Sequence, residues 1–285
     1  MFKSHLLQAV LAGLAMVTAV SEAQTLPGPS PELAQQLRAL GPVINPPAVA
    51  RLYGPLLAQQ PRDGVRRVND QAYGADERQK LDVYAPEAAA TKSRPVVIFM
   101  HGGGFVRGDK SERDNVGHFL ARQDMVALVP SYRLGPKHQW PSGPQDVVLA
   151  LRWAQAHVAQ YGGDTRRIVL VGESAGAAHV AAAVLMKRFH PEGGLSAAGA
   201  VLISGVYNAQ LDFLARKAFG TPTPDPRNDA YFGTDDAAAL STGQGRCGRV
   251  AQMGHAQVLQ QPVQAALDLG AESGDVLVEF ARHVR

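Results

Sequence analysis

One serine of this sequence stands in the setting of an activated nucleophile. Ser174 lies within the segment GESAG at 172–176, which matches the pattern G-x-S-x-G. A hydrophobic run at 168–171 leads into the segment and an alanine-rich stretch follows it, the strand–turn–helix context of a nucleophile elbow. An ordinary glycine-rich turn is the alternative interpretation. The flanking elements favour a serine whose hydroxyl is held at the carboxyl end of a strand.

A second motif, HGGGF at 101–105, follows another apolar run at 95–100. Successive glycines leave backbone N–H groups unobstructed, so that they can converge on an oxyanion and stabilise the tetrahedral intermediate of acyl transfer. A phosphate-binding turn would need a Gly-Lys-Ser/Thr ending or G-x-G-x-x-G spacing. The segment continues instead as FVRG, to residue 108. We name residues 101–108 the glycine loop and predict that it binds an oxyanion.

The elements that must hold these motifs alternate between strand and helix. Short apolar runs predict strands at 67–73, 80–84, 95–100, 125–130, 167–171 and 200–204, and helical spacing predicts helices at 112–123, 144–161 and 175–189. Strands alternating with longer helices are typical of an α/β fold with a mostly parallel sheet and helices on both faces.

Composition excludes several classes of protein. The 285 residues are 46% hydrophobic and 19% charged, which is typical of a globular chain and not of a disordered one. The net charge is +3 with no long Lys/Arg run, so no nucleic-acid partner is predicted. The single cysteine, Cys247, excludes an internal disulfide and gives no metal-binding pattern.

The two motifs, in this order and at successive strand ends, resemble the α/β-hydrolase superfamily. The resemblance is closest to its esterase branch with an HGGG oxyanion loop, the hormone-sensitive-lipase-like and BD-FAE-type carboxylesterases. Further segments fit it at 79–86, 129–134, 141–153 and 230–234. It implies a serine hydrolase of small esters with no metal or organic cofactor. Ser174 would be the nucleophile, Gly103, Gly104 and Ala175 would donate to the oxyanion, and Phe105 would line the substrate pocket.

In this fold the catalytic residues follow the order serine, acid, histidine, so the general base must lie late in the chain. His179 lies in the helix that the elbow itself starts and His190 at its end, both too close along the chain to reach over Ser174, and His283 lies in an amphipathic terminal stretch. His255 follows Gly254, as the late histidine of the family does. The resemblance therefore assigns the base to His255.

The catalytic acid stays unassigned. The family carries it on a turn after a further apolar strand, but residues 237–253 contain too few aliphatic residues for a strand. No Asp or Glu lies between Asp236 and His255. The sequence therefore predicts the loss of one late strand together with its acid. Three interpretations stay open: Asp235 or Asp236 acts as a displaced acid, a Ser–His dyad works alone, or a deletion or frameshift impairs the chain.

The sequence leaves two alternative functions open. An arylformamidase-like amide hydrolase uses the same loop and elbow, and a non-catalytic hydrolase-fold protein would need no acid.

The N-terminus has basic residues, an interrupted apolar stretch and small residues before Gln24, which predicts a signal peptide at 1–23 and export to the periplasm or medium. An uncleaved anchor is the alternative. Residues 24–64 are predicted to form an N-terminal arm with one helical stretch at 31–40, and residues 65–285 are predicted to form the hydrolase domain.

Overall fold

The computed structural model describes residues 30–41, 46–207 and 226–233. The strands are β1 (Val65–Ala72), β2 (Lys80–Pro86), β3 (Arg94–Met100), β4 (Val126–Pro130), β5 (Gly163–Glu173) and β6 (Gly199–Ile203). The α-helices in these ranges are α1 (Pro31–Ala39), α2 (Pro46–Ala58), α3 (Asp114–Arg122), α4 (Ser142–His157), α5 (Ala175–Leu185) and α6 (Pro226–Phe232). Short 3-10 helices cover Lys110–Arg113, Val158–Tyr161 and Lys187–Phe189.

The six strands form one mixed sheet in the order β1-β2-β4-β3-β5-β6. β1 pairs with β2, and β2 with β4, in the antiparallel sense, whereas β4, β3, β5 and β6 run parallel. This confirms the predicted α/β fold with a mostly parallel sheet. Because β3 and β5 are parallel neighbours, with Met100 opposite Gly172, the two motifs that follow them meet at one edge of the sheet.

Both faces of the sheet are covered. Along β3, Val96 and Ile98 belong to a core with residues of α4 and α5, whereas Val97 and Phe99 belong to a second core with residues of α3. Strands that are buried on both faces are expected to be continuously apolar, as the segments of β3 and β4 are.

The structure differs from the sequence-based elements in three places. The arm contains a second helix, α2, so the assignment of a single helix to it was wrong; prolines at 46, 47 and 55 hid the helix, although Pro is tolerated in a first turn. Helix α5 ends at Leu185 rather than 189 because Met186 is extended. β5 begins four residues earlier than expected, at Gly163.

Some predictions fall outside the described residues. These are the signal peptide at 1–23, the atypical segment 237–253, and the candidate residues Asp235, Asp236, His255 and His283. Among the helices that the structure describes, none has the length and apolar character needed to cross a membrane.

Candidate active site

Ser174 lies at the turn between β5 and α5, with part of its surface exposed. Its backbone has φ +53° and ψ −116°, a conformation that residues with a side chain rarely adopt and that costs on the order of 1–3 kcal/mol. The backbone N–H of Ser174 donates to the carbonyl of Ile203 on β6, at 2.8 Å. The fold thus holds the serine in a strained turn, as the nucleophile-elbow interpretation predicts.

The two glycines of GESAG are required by close packing. A Cβ on Gly172 would lie 2.5 Å from the carbonyl oxygen of Gly176, on the other side of the turn. A Cβ on Gly176 would lie 2.2 Å from the carbonyl oxygen of Met100, at the end of β3. Side chains at either position would therefore push α5 away from the sheet.

The glycine loop passes directly beside the serine. A Cβ on Gly102 would lie 3.2 Å from Cβ of Ser174 and 3.3 Å from the carbonyl oxygen of Glu173. Gly103 and Gly104 both have positive φ, of +140° and +60°. The structure thus brings together the two motifs that the sequence singled out. Ala175 is buried at the first position of α5, immediately after the nucleophile.

The first residue of the loop, His101, is a buried structural residue. Its Nδ1–H donates to the carbonyl of Gly102 at 2.7 Å, and its ring stacks on Tyr132 with 4.2 Å between centroids. The Tyr132 hydroxyl donates to the His101 carbonyl at 2.8 Å. Burial lowers the pKa of His101 to about 4, so the ring is neutral at pH 7. These contacts fix where the loop leaves β3.

Arg78 anchors the far end of the loop. Its Nε donates to the carbonyl of Tyr132 at 2.7 Å, and its Nη2 donates to the carbonyl of Gly108 at 2.6 Å. The next residue, Asp109, accepts hydrogen bonds from Ser111 and Ser131. These bonds outweigh the effect of burial and lower the pKa of Asp109 to about 2. The loop is therefore held at both ends.

Phe105 has φ +70° and is only 4% exposed. Its ring stacks on Tyr231 of α6 with 5.0 Å between centroids, and the Tyr231 hydroxyl accepts a hydrogen bond from the backbone N–H of Gly143 at 3.0 Å. Phe105 thus connects the glycine loop to α6. Its role in lining a substrate pocket stays a prediction.

A salt bridge beside the serine was not expected from the sequence. Arg113 donates to Glu173 through Nε at 2.8 Å and through Nη2 at 3.1 Å. Burial acts to lower the pKa of Arg113, but the hydrogen bonds and the negative charge of Glu173 outweigh it and raise that pKa. Glu173 was visible in the motif, but nothing in the sequence near Arg113 distinguishes it from other helix-surface arginines.

Two of the four late histidines lie in the described residues. His179 is completely buried against Phe105 and Tyr132, and burial, with a smaller effect of His101, lowers its pKa to about 3. His190 pairs through Nε2 with the carbonyl of Val184 at 2.9 Å. A fully buried ring of such low basicity is a poor proton acceptor for a serine. In the same part of the chain, no three His, Cys, Asp or Glu residues are grouped so that they could hold a metal ion.

Comparison with known proteins places this site in a family. Residues 59–218, more than half of the chain, match the model of the carboxylesterase family. The chain is 42% identical over 105 residues to esterase LipC of Mycobacterium tuberculosis, covering 36% of this chain and 26% of LipC. It is 43% identical over 84 residues to carboxylesterase NlhH of the same organism, covering 29% of this chain and 26% of NlhH. The matching segment thus spans about a quarter of these relatives.

Solved structures agree with the fold. A bacterial heroin esterase is 29% identical with a TM-score of 0.52, covering 68% of this chain and 62% of that one. Esterase B of Lactobacillus rhamnosis is 23% identical with a TM-score of 0.54, covering 73% of this chain and 67% of that one, and shows the same α/β-hydrolase fold. Fold, motif geometry and family match agree, and the chain belongs to the carboxylesterase family.

Proposed function

We propose that this protein is a serine hydrolase that cleaves carboxylic esters through an acyl-enzyme on Ser174. The observation that carries the proposal is the placement of Gly102 against Ser174, with 3.2 Å from a Cβ on the glycine to Cβ of the serine. It sets a partly exposed serine directly beside a strand-end glycine loop. LipC and NlhH, its relatives in sequence, are an esterase and a carboxylesterase.

In the first half of the reaction, the Ser174 oxygen attacks the ester carbonyl carbon while the general base takes the hydroxyl proton. The tetrahedral intermediate collapses, the bond to the alcohol oxygen breaks, and the base returns the proton to the leaving alcohol. In the second half, water attacks the acyl-enzyme with the same base accepting its proton, and the acid is released. We assign the base to His255.

The backbone N–H groups of Gly103, Gly104 and Ala175 would donate to the oxyanion. The positive φ of Gly103 and Gly104 gives the loop a backbone path that residues with side chains rarely follow, and Ala175 starts the helix after the nucleophile. Loss of one such donor in a serine hydrolase typically costs about 2.7–4 kcal/mol of transition-state stabilisation.

The triad acid determines how fast such a site works, and not whether it works. The acid holds the histidine in the correct tautomer and stabilises its cation, and replacing it with a neutral residue reduces turnover by roughly 10⁴ in the best-studied case. A chain with Ser174 and His255 but no acid would therefore be a slow esterase. Fast turnover would point to Asp235 or Asp236 as a displaced acid.

The proposal is tested by labelling the full chain with a fluorophosphonate probe and by measuring hydrolysis of p-nitrophenyl acetate. We expect labelling and hydrolysis to be lost in Ser174→Ala. Ser204→Ala is the matched control because Ser204 also has positive φ, +49°, at the end of the next strand, β6. Equal labelling of Ser174→Ala and wild type, or a folded wild type that neither reacts with the probe nor hydrolyses the ester, would refute the proposal.

Two companion measurements address the finer assignments. Faster cleavage of a formyl-aryl amide than of the ester would replace the esterase assignment with an arylformamidase-like one. His255→Asn should lower the rate of both labelling and hydrolysis, whereas His190→Asn should leave them unchanged.

We also propose export, with cleavage after Ala23. The basic start and the interrupted apolar stretch of residues 1–23 support it. N-terminal sequencing of the mature protein from a bacterial host should begin at Gln24, and an intact Met1 in the exported fraction would contradict it.

A further inference from the structure

The residue before the nucleophile carries a negative charge into the active site. Glu173 is the last residue of β5, and 35% of its side chain is exposed. Its Cδ lies 3.5 Å from the position of a Cβ on Gly102, and Cβ of Ser174 lies 3.2 Å from the same point. The carboxyl carbon of Glu173 is therefore at most about 7 Å from Cβ of Ser174.

A carboxylate at that distance would oppose the proposed chemistry. The transition state of acyl transfer places negative charge on the carbonyl oxygen beside Ser174 and positive charge on the general base, and Glu173 lies against Gly102 of the loop proposed to hold the negative oxygen. Like charges repel most strongly where water is scarce. The neutral ester of the ground state does not feel this repulsion to the same extent. An unpaired Glu173 would therefore raise the barrier more than it would weaken substrate binding.

The structure supplies the compensating charge from the segment that follows the glycine loop. Arg113 closes the 3-10 helix Lys110–Arg113 and meets both carboxylate oxygens of Glu173 in a bidentate pair. The arginine side chain is 27% exposed, so solvent screens the pair only in part. In the described residues, this is the one salt bridge that involves Glu173.

Resting on the proposed function, we propose that Arg113 is a positioning residue for ester hydrolysis: it holds and neutralises Glu173, so that no uncompensated negative charge faces the oxyanion. Arg113 acts through Glu173 and does not touch the reacting atoms. Its importance is therefore conditional on the charge at position 173. This separates the proposal from a purely mechanical role, in which the pair simply ties the elbow to the loop.

The two roles predict different results for four variants, namely Arg113→Met, Arg113→Lys, Glu173→Gln and the double variant Arg113→Met/Glu173→Gln. If Arg113 neutralises charge, Arg113→Met lowers kcat on p-nitrophenyl acetate by about 10- to 50-fold with little change in KM, which is the effect of a unit charge roughly 7–10 Å from the oxyanion at an effective dielectric constant near 20. Glu173→Gln alone leaves Arg113 unpaired near the oxyanion, so its kcat stays equal to or above that of wild type, and in the double variant it restores most of the lost kcat.

A mechanical tie predicts instead that both single variants and the double variant lose activity equally, and that result would overturn the proposal. Arg113→Lys keeps the charge without the bidentate geometry, so it should retain most of kcat; a loss equal to that of Arg113→Met would also overturn the proposal. If Arg113→Met does not fold, Arg113→Lys and the double variant still decide between the roles. Arg166→Met is the matched control, because Arg166 pairs with Asp164 at the opposite end of β5.

Wild-type activity separates this test from that of the proposed function. An inactive, unlabelled wild type would refute the esterase assignment and the proposal with it. An active wild type whose Arg113→Met variant keeps full kcat would refute the role of Arg113 alone.

Discussion

Replacing Gly103 with alanine should remove most esterase activity while leaving the protein folded. A Cβ at this position would lie 2.0 Å from the carbonyl oxygen of Arg107 and 2.7 Å from its carbonyl carbon. Both atoms belong to the backbone of the loop, where the N–H of Arg107 donates to the Gly103 carbonyl at 3.2 Å. Ordinary van der Waals contact begins near 3.4 Å, so the loop must open by more than 1 Å.

The magnitude follows from what that shift does to the oxyanion donors. Displacing a catalytic group by about 1 Å can cost on the order of 10²-fold in rate, and losing an oxyanion donor costs about 10²- to 10³-fold. We therefore expect kcat/KM of Gly103→Ala on p-nitrophenyl acetate to fall by about 10²- to 10³-fold, mainly through kcat. Alanine at φ +140° adds a stability cost of about 1–3 kcal/mol.

Gly193→Ala is the control for that stability cost. Gly193 also has positive φ, +87°, but its Cβ would meet nothing within 4 Å. The melting temperature of Gly193→Ala should fall by a few degrees, while its kcat/KM stays at the wild-type value. If Gly103→Ala hydrolysed the ester as fast as Gly193→Ala, the assignment of the glycine loop to the oxyanion would be wrong.

Three other substitutions test the buried His179, the strained backbone at Ser174 and the Arg78 anchor of the glycine loop. The pKa of His179 is about 3 in the folded protein and near 6.5 in the unfolded chain, so the unfolded chain takes up its proton first and stability falls as pH drops below about 6.5. Urea unfolding at pH 7.5 and 4.5 measures how much free energy of unfolding each protein loses between the two pH values. The loss should be smaller in His179→Leu than in wild type by roughly 2–3 kcal/mol, and an equal loss in the two proteins would contradict the lowered pKa of His179. Ser174→Gly should melt a few degrees above Ser174→Ala, because glycine relieves about 1 kcal/mol of strain at φ +53°; equal melting temperatures would argue against a strained elbow. Arg78→Met leaves the carbonyls of Tyr132 and Gly108 without a charged donor and should cost about 2–4 kcal/mol in the free energy of unfolding, which denaturant titration measures; a cost below 0.5 kcal/mol would mean that Arg78 does not anchor the loop.

The sequence predicted those parts of the fold that depend on local pattern. The continuous apolar runs identified β3 and β4, and both motifs were correctly placed at strand ends. Helix α2 was missed because local signals opposed it: three prolines lie within Pro46–Ala58, yet the chain there is helical. Hydrophobic periodicity describes one element at a time, so it could not give the strand order in which β4 lies between β2 and β3.

The supports of the site were beyond the reach of local patterns for the same reason. Arg113 and Glu173 are 60 residues apart, and Arg78 and Gly108 are 30 apart. Each pair joins elements that are distant in the chain and that only the assembled sheet brings close: β3 and β5 are neighbours, and β2 is separated from β3 by β4 alone. Ser174 and the loop glycines could be identified from sequence because their chemistry requires particular residues in consecutive positions, whereas an arginine that contacts them from another element has no fixed spacing.

The described contacts that hold the nucleophile half of the site come from elements that precede residues 237–253 in the chain. The strained turn at Ser174 is held by Ile203, the close approach of Gly176 to Met100 sets α5 on the sheet, and the glycine loop is fixed by Tyr132 and Arg78. All of these contacts lie between residues 78 and 203. A defect at 237–253 would therefore weaken proton transfer through His255 while leaving the serine beside its oxyanion loop. Such a chain would react with a phosphonylating probe slowly but at Ser174, whereas a chain whose elbow had lost its geometry would not react there at all.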